Sequence, residues 1–210
     1  MSMTHRIAIL RGCASNGSAR PPILDLLQFT RQNVIDVTGT AAHQLHNWVA
    51  RKWLTLSGEQ SPGKGKKRFY NGCDVISVAF GLELQPFGMM QVADQLSSTQ
   101  QLSTRAYRML LDPDFECGRA LAIVPSDQQN EWDYVVFGPG TTRSGHDFRA
   151  AVIIDADRLI LETLERLSLV MSGRSVPPRT KGRDAPWSGD LIAEDYGDEY
   201  LIRSGPSLGF

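Results

Sequence analysis

The sequence predicts an α+β chain, and three observations carry that prediction. Apolar residues from Val34 to Trp53 recur at helical spacing on either side of a Thr38-Gly39-Thr40 break. Two short apolar runs, "LTL" and "RFY", flank a glycine- and lysine-bearing loop. Further on, "RALAIVP", "WDYVVFG" and "FRAAVII" alternate as strands do, ahead of a last segment with helical periodicity. Together they place a helix–turn–helix with a basic wing before a small three-stranded sheet plus helix.

The bulk composition sets the limits. The chain has 210 residues, is 41% hydrophobic and carries a net charge of −1. It contains no run of about 18 apolar residues, the length a membrane-spanning helix requires. Cys13, Cys73 and Cys117 lie far apart, an odd count that fits neither a disulfide framework nor a zinc knuckle. We therefore expect an intracellular protein whose cysteines fill space, without cofactor or metal. Composition separates four regions: an N-terminal extension (1–28), a helix–turn–helix region (29–96), a small α+β module (97–171) and an acidic tail (172–210).

In the extension, "RIAIL" followed by "GCASNG" has the outline of a strand feeding a phosphate loop. Pro21-Pro22 stands where the helix after such a loop would begin, which argues against a nucleotide site. The four-residue apolar core Ile7–Leu10 is too short for a signal peptide.

The second region is the most informative. Val34 and Val37 fit one face of a short helix, Gly39 suits a left-handed exit, and Thr40 offers a hydroxyl to cap the next helix. In that next helix Leu45, Trp48 and Val49 share a face, with Trp53 one turn on. The opposite face shows His43, Gln44, His46 and Asn47. A merely solvated face would more often carry Glu and Lys pairs; amides and imidazoles instead match the donors and acceptors of base edges. "LTL" and "RFY" read as two strands of a hairpin whose loop and second strand hold Lys64, Lys66, Lys67 and Arg68. With Arg51 and Lys52, residues 43–70 carry six basic groups against Glu59, so positive charge concentrates here in a nearly neutral chain. Such charge beside a polar helix suits phosphates flanking a groove.

From Phe29 to Leu54 the chain resembles the N-terminal DNA-binding domain of the MerR family of bacterial regulators. The residues that carry the likeness are Phe29-Thr30, Val34, Val37, Thr38-Gly39, Leu45, Trp48 and Leu54, then Arg68, Tyr70 and Asp74, then Val78, Leu84, Phe87 and Gly88. The match covers about a third of the chain. It departs from the family at His46-Asn47, where an Arg-Tyr pair is usual, and at Ala41, where a capping Ser is common. Trp53 stands for a helix-ending glycine, Gly81 for an apolar core residue, and Pro86 interrupts the third helix. The resemblance implies a MerR-like winged helix-turn-helix, with one helix across the backbone and the next in the major groove.

Residues 97–171 depart from the family. "TQQLSTRAYRMLL" reads as a helix stopping at Asp112-Pro113, and three strands follow with turns at Ser126–Asn130 and Gly138–Gly145. Asp155 caps a last helix whose stripe Ile160, Leu164, Leu167 and Met171 suits a core face better than a dimer seam. "GPGTTRSGH" is explained by a hairpin loop as well as by an anion cradle. Neither His146-Asp147 nor the isolated cysteines assemble a recognisable catalytic or metal set, so no enzyme is expected. The tail beyond residue 172 is Ser-, Gly-, Pro- and Arg-rich, then acidic, and is expected to be disordered. Its aromatics among acids suit docking on RNA polymerase or folding back on the DNA site; a plain solubilising tail is the simpler account.

These readings converge on a sequence-specific transcription regulator that binds double-stranded DNA as a homodimer. The alternative is an architectural protein of the excisionase type, which the second module and acidic tail disfavour. Gln44 and His43 are expected near base edges, with Asn47 and His46 at bases or backbone. Arg51, Lys64, Lys66, Lys67 and Arg68 are assigned to phosphates, with Thr30 and Tyr70 adding hydrogen bonds.

Overall fold

The structure is a computed structural model that describes residues 3–14, 21–57, 67–115, 118–125, 132–137 and 152–179. The chain is α+β, with two small antiparallel sheets among its helices. "RIAIL" is part of helix α1 (Met3–Ala14), not a strand. Ile7 and Leu10 are buried, while Arg6 forks onto Glu165 of the last helix. The N-terminal extension is therefore built into the core. A short helix α2 (Pro22–Asp25) follows, its Pro at the first turn where no amide donor is needed.

Strand β1 (Phe29–Thr30) leads into α3 (Arg31–Thr38) through a capping box. The Thr30 hydroxyl accepts from the Asn33 amide at 3.2 Å, and Asn33 Oδ1 accepts from the Thr30 amide at 2.9 Å. Gly39 ends α3 in the left-handed region (φ 76), and α4 (Ala42–Ala50) begins three residues later. Thr40 does not cap α4. It is buried and accepts a hydrogen bond from the Thr38 hydroxyl, so the tight turn uses its side chain internally. Gln44 replaces it by reaching back to the Ala41 amide at 3.1 Å.

The expected hairpin takes a different form. Strand β2 (Phe69–Tyr70) pairs antiparallel with β1, not with "LTL". Leu54 and Leu56 are buried and Thr55 exposed, so the period-two alternation is real. Two carboxylates satisfy two of the amides there. Asp94 accepts from the Thr55 amide at 2.7 Å, and Asp74 accepts from the Ser57 amide at 2.6 Å.

Helix α5 (Gly72–Leu84) opens with a second capping box, Asn71 with Asp74. Every residue from Asp74 to Gly81 is buried, as a helix surrounded on all sides requires. It packs against α2, α3, α6 (Met90–Ser98), α7 (Gln101–Leu111) and α8 (Ala156–Met171). At Gly72 an added Cβ would lie 2.2 Å from the Ile23 carbonyl oxygen, so only glycine lets α5 approach α2 this closely. Pro86 falls in a 3₁₀ turn (Gln85–Phe87) that closes α5, and Phe87 is exposed rather than part of the core face.

Strands β3 (Ala120–Pro125), β4 (Trp132–Phe137) and β5 (Val152–Asp155) form an antiparallel sheet in the order β4-β3-β5. Asp155 caps α8 by accepting from the Arg158 amide at 2.9 Å. Ile160, Leu164 and Leu167 are buried, and Met171 is exposed. The stripe faces the same apolar core that contains Val34, Leu45, Trp48 and Val75. Among the described residues, 29–96 and 97–171 thus contribute to one shared apolar core. The expected turns at 126–130 and 138–145 and the tail beyond residue 179 lie outside the described residues.

Candidate nucleic-acid interface

Two turns of α8 and α3 fix the first half of the helix pair. Arg166 donates to the carbonyl of Val37 at 2.6 Å and to that of Asp36 at 2.7 Å. A cation on the last carbonyls of a helix satisfies otherwise orphaned acceptors and complements the helix dipole. Arg31 donates to the Ala42 carbonyl at 2.6 Å, linking the first turns of α3 and α4. The orientation of α3 is therefore set by the core and by α8.

Leu45 and Trp48 anchor α4 from below. Gly81 makes room for the Trp48 ring: a Cβ there would lie 3.4 Å from that ring, 3.5 Å from Leu54 and 3.2 Å from Met90. The apolar residue expected at position 81 is absent because its space is occupied by those three side chains. With the inner face fixed, His43, His46, Asn47 and Ala50 point outward at spacings of three and four, all exposed. Three of the four contact residues expected on α4 thus share one accessible face. Gln44 differs. It is half-buried, and its Nε2 donates to Gln85 Oε1 at 3.0 Å while its Oε1 holds the Ala41 amide. Its amide is spent on fixing α4 against the 3₁₀ turn.

The expected phosphate contacts divide in the same manner. Arg51 is exposed at the end of α4, and Lys67 is exposed at the foot of the basic loop. Arg68 is half-buried and hydrogen-bonds Tyr70. Tyr70 is 3% exposed, so its ring belongs to the core; burial pushes its phenol up, opposed by Arg68. The Thr30 hydroxyl is committed to its cap. Lys64 and Lys66 lie outside the described residues.

Burial pushes the Asp74 carboxyl up to about 6, against the hydrogen bonds from Ser57 and Asn71 that favour its ionised form. The neighbouring Cys73 thiol is pushed up to about 12 by burial, with Asp74 and Asp25 adding to it. It is a thiol at neutral pH and has neither the nucleophilicity nor the charge of a reactive cysteine. Among the described residues, no three of His, Cys, Asp and Glu gather as a metal set, and no helix is long and apolar enough to cross a membrane.

Beside Arg51, two residues to which the sequence assigns no contact, Lys52 and Trp53, sit at the end of α4. Lys52 adopts φ 55, a left-handed geometry that costs a side-chain-bearing residue about 1 kcal/mol. Trp53 is 40% exposed, and the Arg51 guanidinium lies 5.0 Å from its ring centroid. The signal was one residue away: the helix-ending glycine of the resembled pattern aligns with Trp53, whereas Lys52 takes the left-handed geometry. No protein-family model matches this chain, and no curated protein matches it.

Proposed function

We propose that the protein is a sequence-specific, double-stranded-DNA-binding regulator of the MerR-like type, with α4 as its recognition helix. One observation carries the reading: α4 is anchored by Leu45 and Trp48 and turns His43, His46 and Asn47 outward, with Arg51 at its end. Uncharged donors and acceptors on an exposed, rigidly seated helix suit base edges better than bulk solvent. The basic run Lys64, Lys66, Lys67 and Arg68 is the sequence-independent part, neutralising phosphates beside the groove. The homodimer, with two such helices on a nearly palindromic operator, belongs to the same proposal. So do RNA polymerase as a partner of the acidic tail and a cytoplasmic, nucleoid location.

Binding of the full chain to duplex DNA, titrated over a series of salt concentrations, tests this. Replacing Lys64, Lys66 and Lys67 together by Ala weakens binding to all sequences alike and makes the salt dependence shallower by about three units of slope. An unchanged slope overturns the assignment of the basic loop. Asn47→Ala relaxes preference at a single base position, where loss of one good contact is worth about 1–3 kcal/mol.

A further inference from the structure

We propose that Arg51, Lys52 and Trp53 form a clamp for the sugar–phosphate backbone at the exit of α4, an inference that rests on the DNA-binding reading above. The backbone of this exit is a complete Schellman end. The Trp53 amide donates to the Trp48 carbonyl at 2.8 Å, and the Lys52 amide donates to the Val49 carbonyl at 3.2 Å. The residue between arms of that motif sits in left-handed geometry, and glycine fills it without strain. Here it is Lys52 at φ 55, although the same chain uses Gly39 at φ 76 to end α3. Strain held at an exposed residue points to work done by its side chain.

Trp53 gives that work a direction. A tryptophan 40% exposed at a helix exit is not filling the core. It carries the Arg51 guanidinium at 5.0 Å from its ring centroid, which orders a side chain that otherwise samples many rotamers. Stacking occupies a face of the guanidinium, and its donors lie in the plane, so it still takes phosphate oxygens in a fork. Lys52 adds a point charge beside it. Two cations and an apolar ring in consecutive positions match a backbone in which phosphates alternate with deoxyribose.

The spacing along α4 agrees. His43 and Arg51 are eight residues apart, about 12 Å at 1.5 Å per residue. The major groove is about 12 Å wide, so a helix with His43 at base edges brings Arg51 to the bordering strand. Trp53 is here a positioning residue, acting through Arg51, and Lys52 and Arg51 touch the phosphates.

The experiment is fluorescence anisotropy of the full chain on a fluorescein-labelled, mixed-sequence duplex across a series of KCl concentrations. Lys52→Gly binds several-fold more weakly and loses about one unit of salt slope, while its melting temperature rises because the left-handed strain is relieved. Trp53→Leu also weakens binding several-fold, and Arg51→Ala adds little in the Trp53→Leu background because the two act as one unit. Lys52→Gly with wild-type slope, or fully additive effects of Arg51→Ala and Trp53→Leu, overturns the clamp. In that case a slope that still falls on replacing Lys64, Lys66 and Lys67 leaves the DNA-binding reading standing. Absence of duplex binding by the wild-type chain overturns both.

Discussion

Helices α3 and α4 both end on a left-handed residue, yet with opposite chemistry. At the end of α3 that residue is Gly39, and Arg166 from α8 holds the carbonyls of Asp36 and Val37. At the end of α4 it is Lys52, flanked by exposed Arg51 and Trp53. The first end is a joint: unstrained and tied into the core by a helix more than a hundred residues away in sequence. The second is an edge: strained, cationic and turned to solvent. Where geometry alone is required the chain uses the residue that supplies it without strain, and where surface chemistry is required it tolerates strain.

The largest effect is expected from removing the support behind the joint. Asp157 is fully buried and accepts from Arg105 and from the amides of Gly118 and Arg119, each at 2.9 Å for the two amides. Asp157→Ala removes the buried acceptor of the Arg105 fork and of the Gly118 and Arg119 amides, and costs about 4 kcal/mol in denaturant unfolding. Because α8 and the helix pair share one core, circular dichroism and Trp48 fluorescence lose their signals together; a separate early transition would show two modules instead. Arg166→Ala comes next, at about 2 kcal/mol for two charge-assisted bonds, and duplex binding weakens beyond the loss of folded protein because α3 is no longer braced.

The sharpest pair has equal size and opposite sign. Gly39→Ala costs about 1 kcal/mol, and Lys52→Gly gains about 1 kcal/mol, both measured as changes in unfolding midpoint. If both substitutions destabilise, Lys52 is a structural residue and the contrast between the two ends disappears. An effect told apart by its pH dependence lies beyond Lys52, where Asp74 holds the Ser57 amide. Its carboxyl moves from 3.8 to about 6 on folding, so between those values the folded chain binds the extra proton. Its contribution therefore favours the fold below pH 3.8 and declines as pH rises to about 6. Asp74→Asn flattens that part of the curve of melting temperature against pH.

Features written in local chemistry were legible in the sequence. Gly39 as a helix end, Asp155 as a cap, the strands at 120–125 and 132–137 and the buried stripe of α8 all follow from spacing and turn residues. What was not legible depends on distant partners. "LTL" alternates like a strand, but the amides of Thr55 and of the following Ser57 go to Asp94 and Asp74, acids that nothing local connects to it. Gly81 is small because Trp48, Leu54 and Met90 converge on it. Among the site residues, His43, His46 and Asn47 were readable as one face, whereas the burial of Tyr70 and the partners of Gln44 depend on packing against other segments. Lys52 was hidden for a further reason, since a strained φ leaves no mark in residue type.

The most direct test of the central claim is selection of sheared genomic DNA by the purified full chain at physiological salt, followed by sequencing. The variant lacking Lys64, Lys66 and Lys67 serves as control. We expect a few strongly enriched promoter fragments sharing an inverted repeat, all lost in the control. Enrichment of a single attachment-type locus would contradict the regulator in favour of an architectural role. Equal enrichment by the control would contradict only the assignment of the basic loop, and no enrichment over input DNA by the wild-type chain would contradict DNA recognition by α4 altogether.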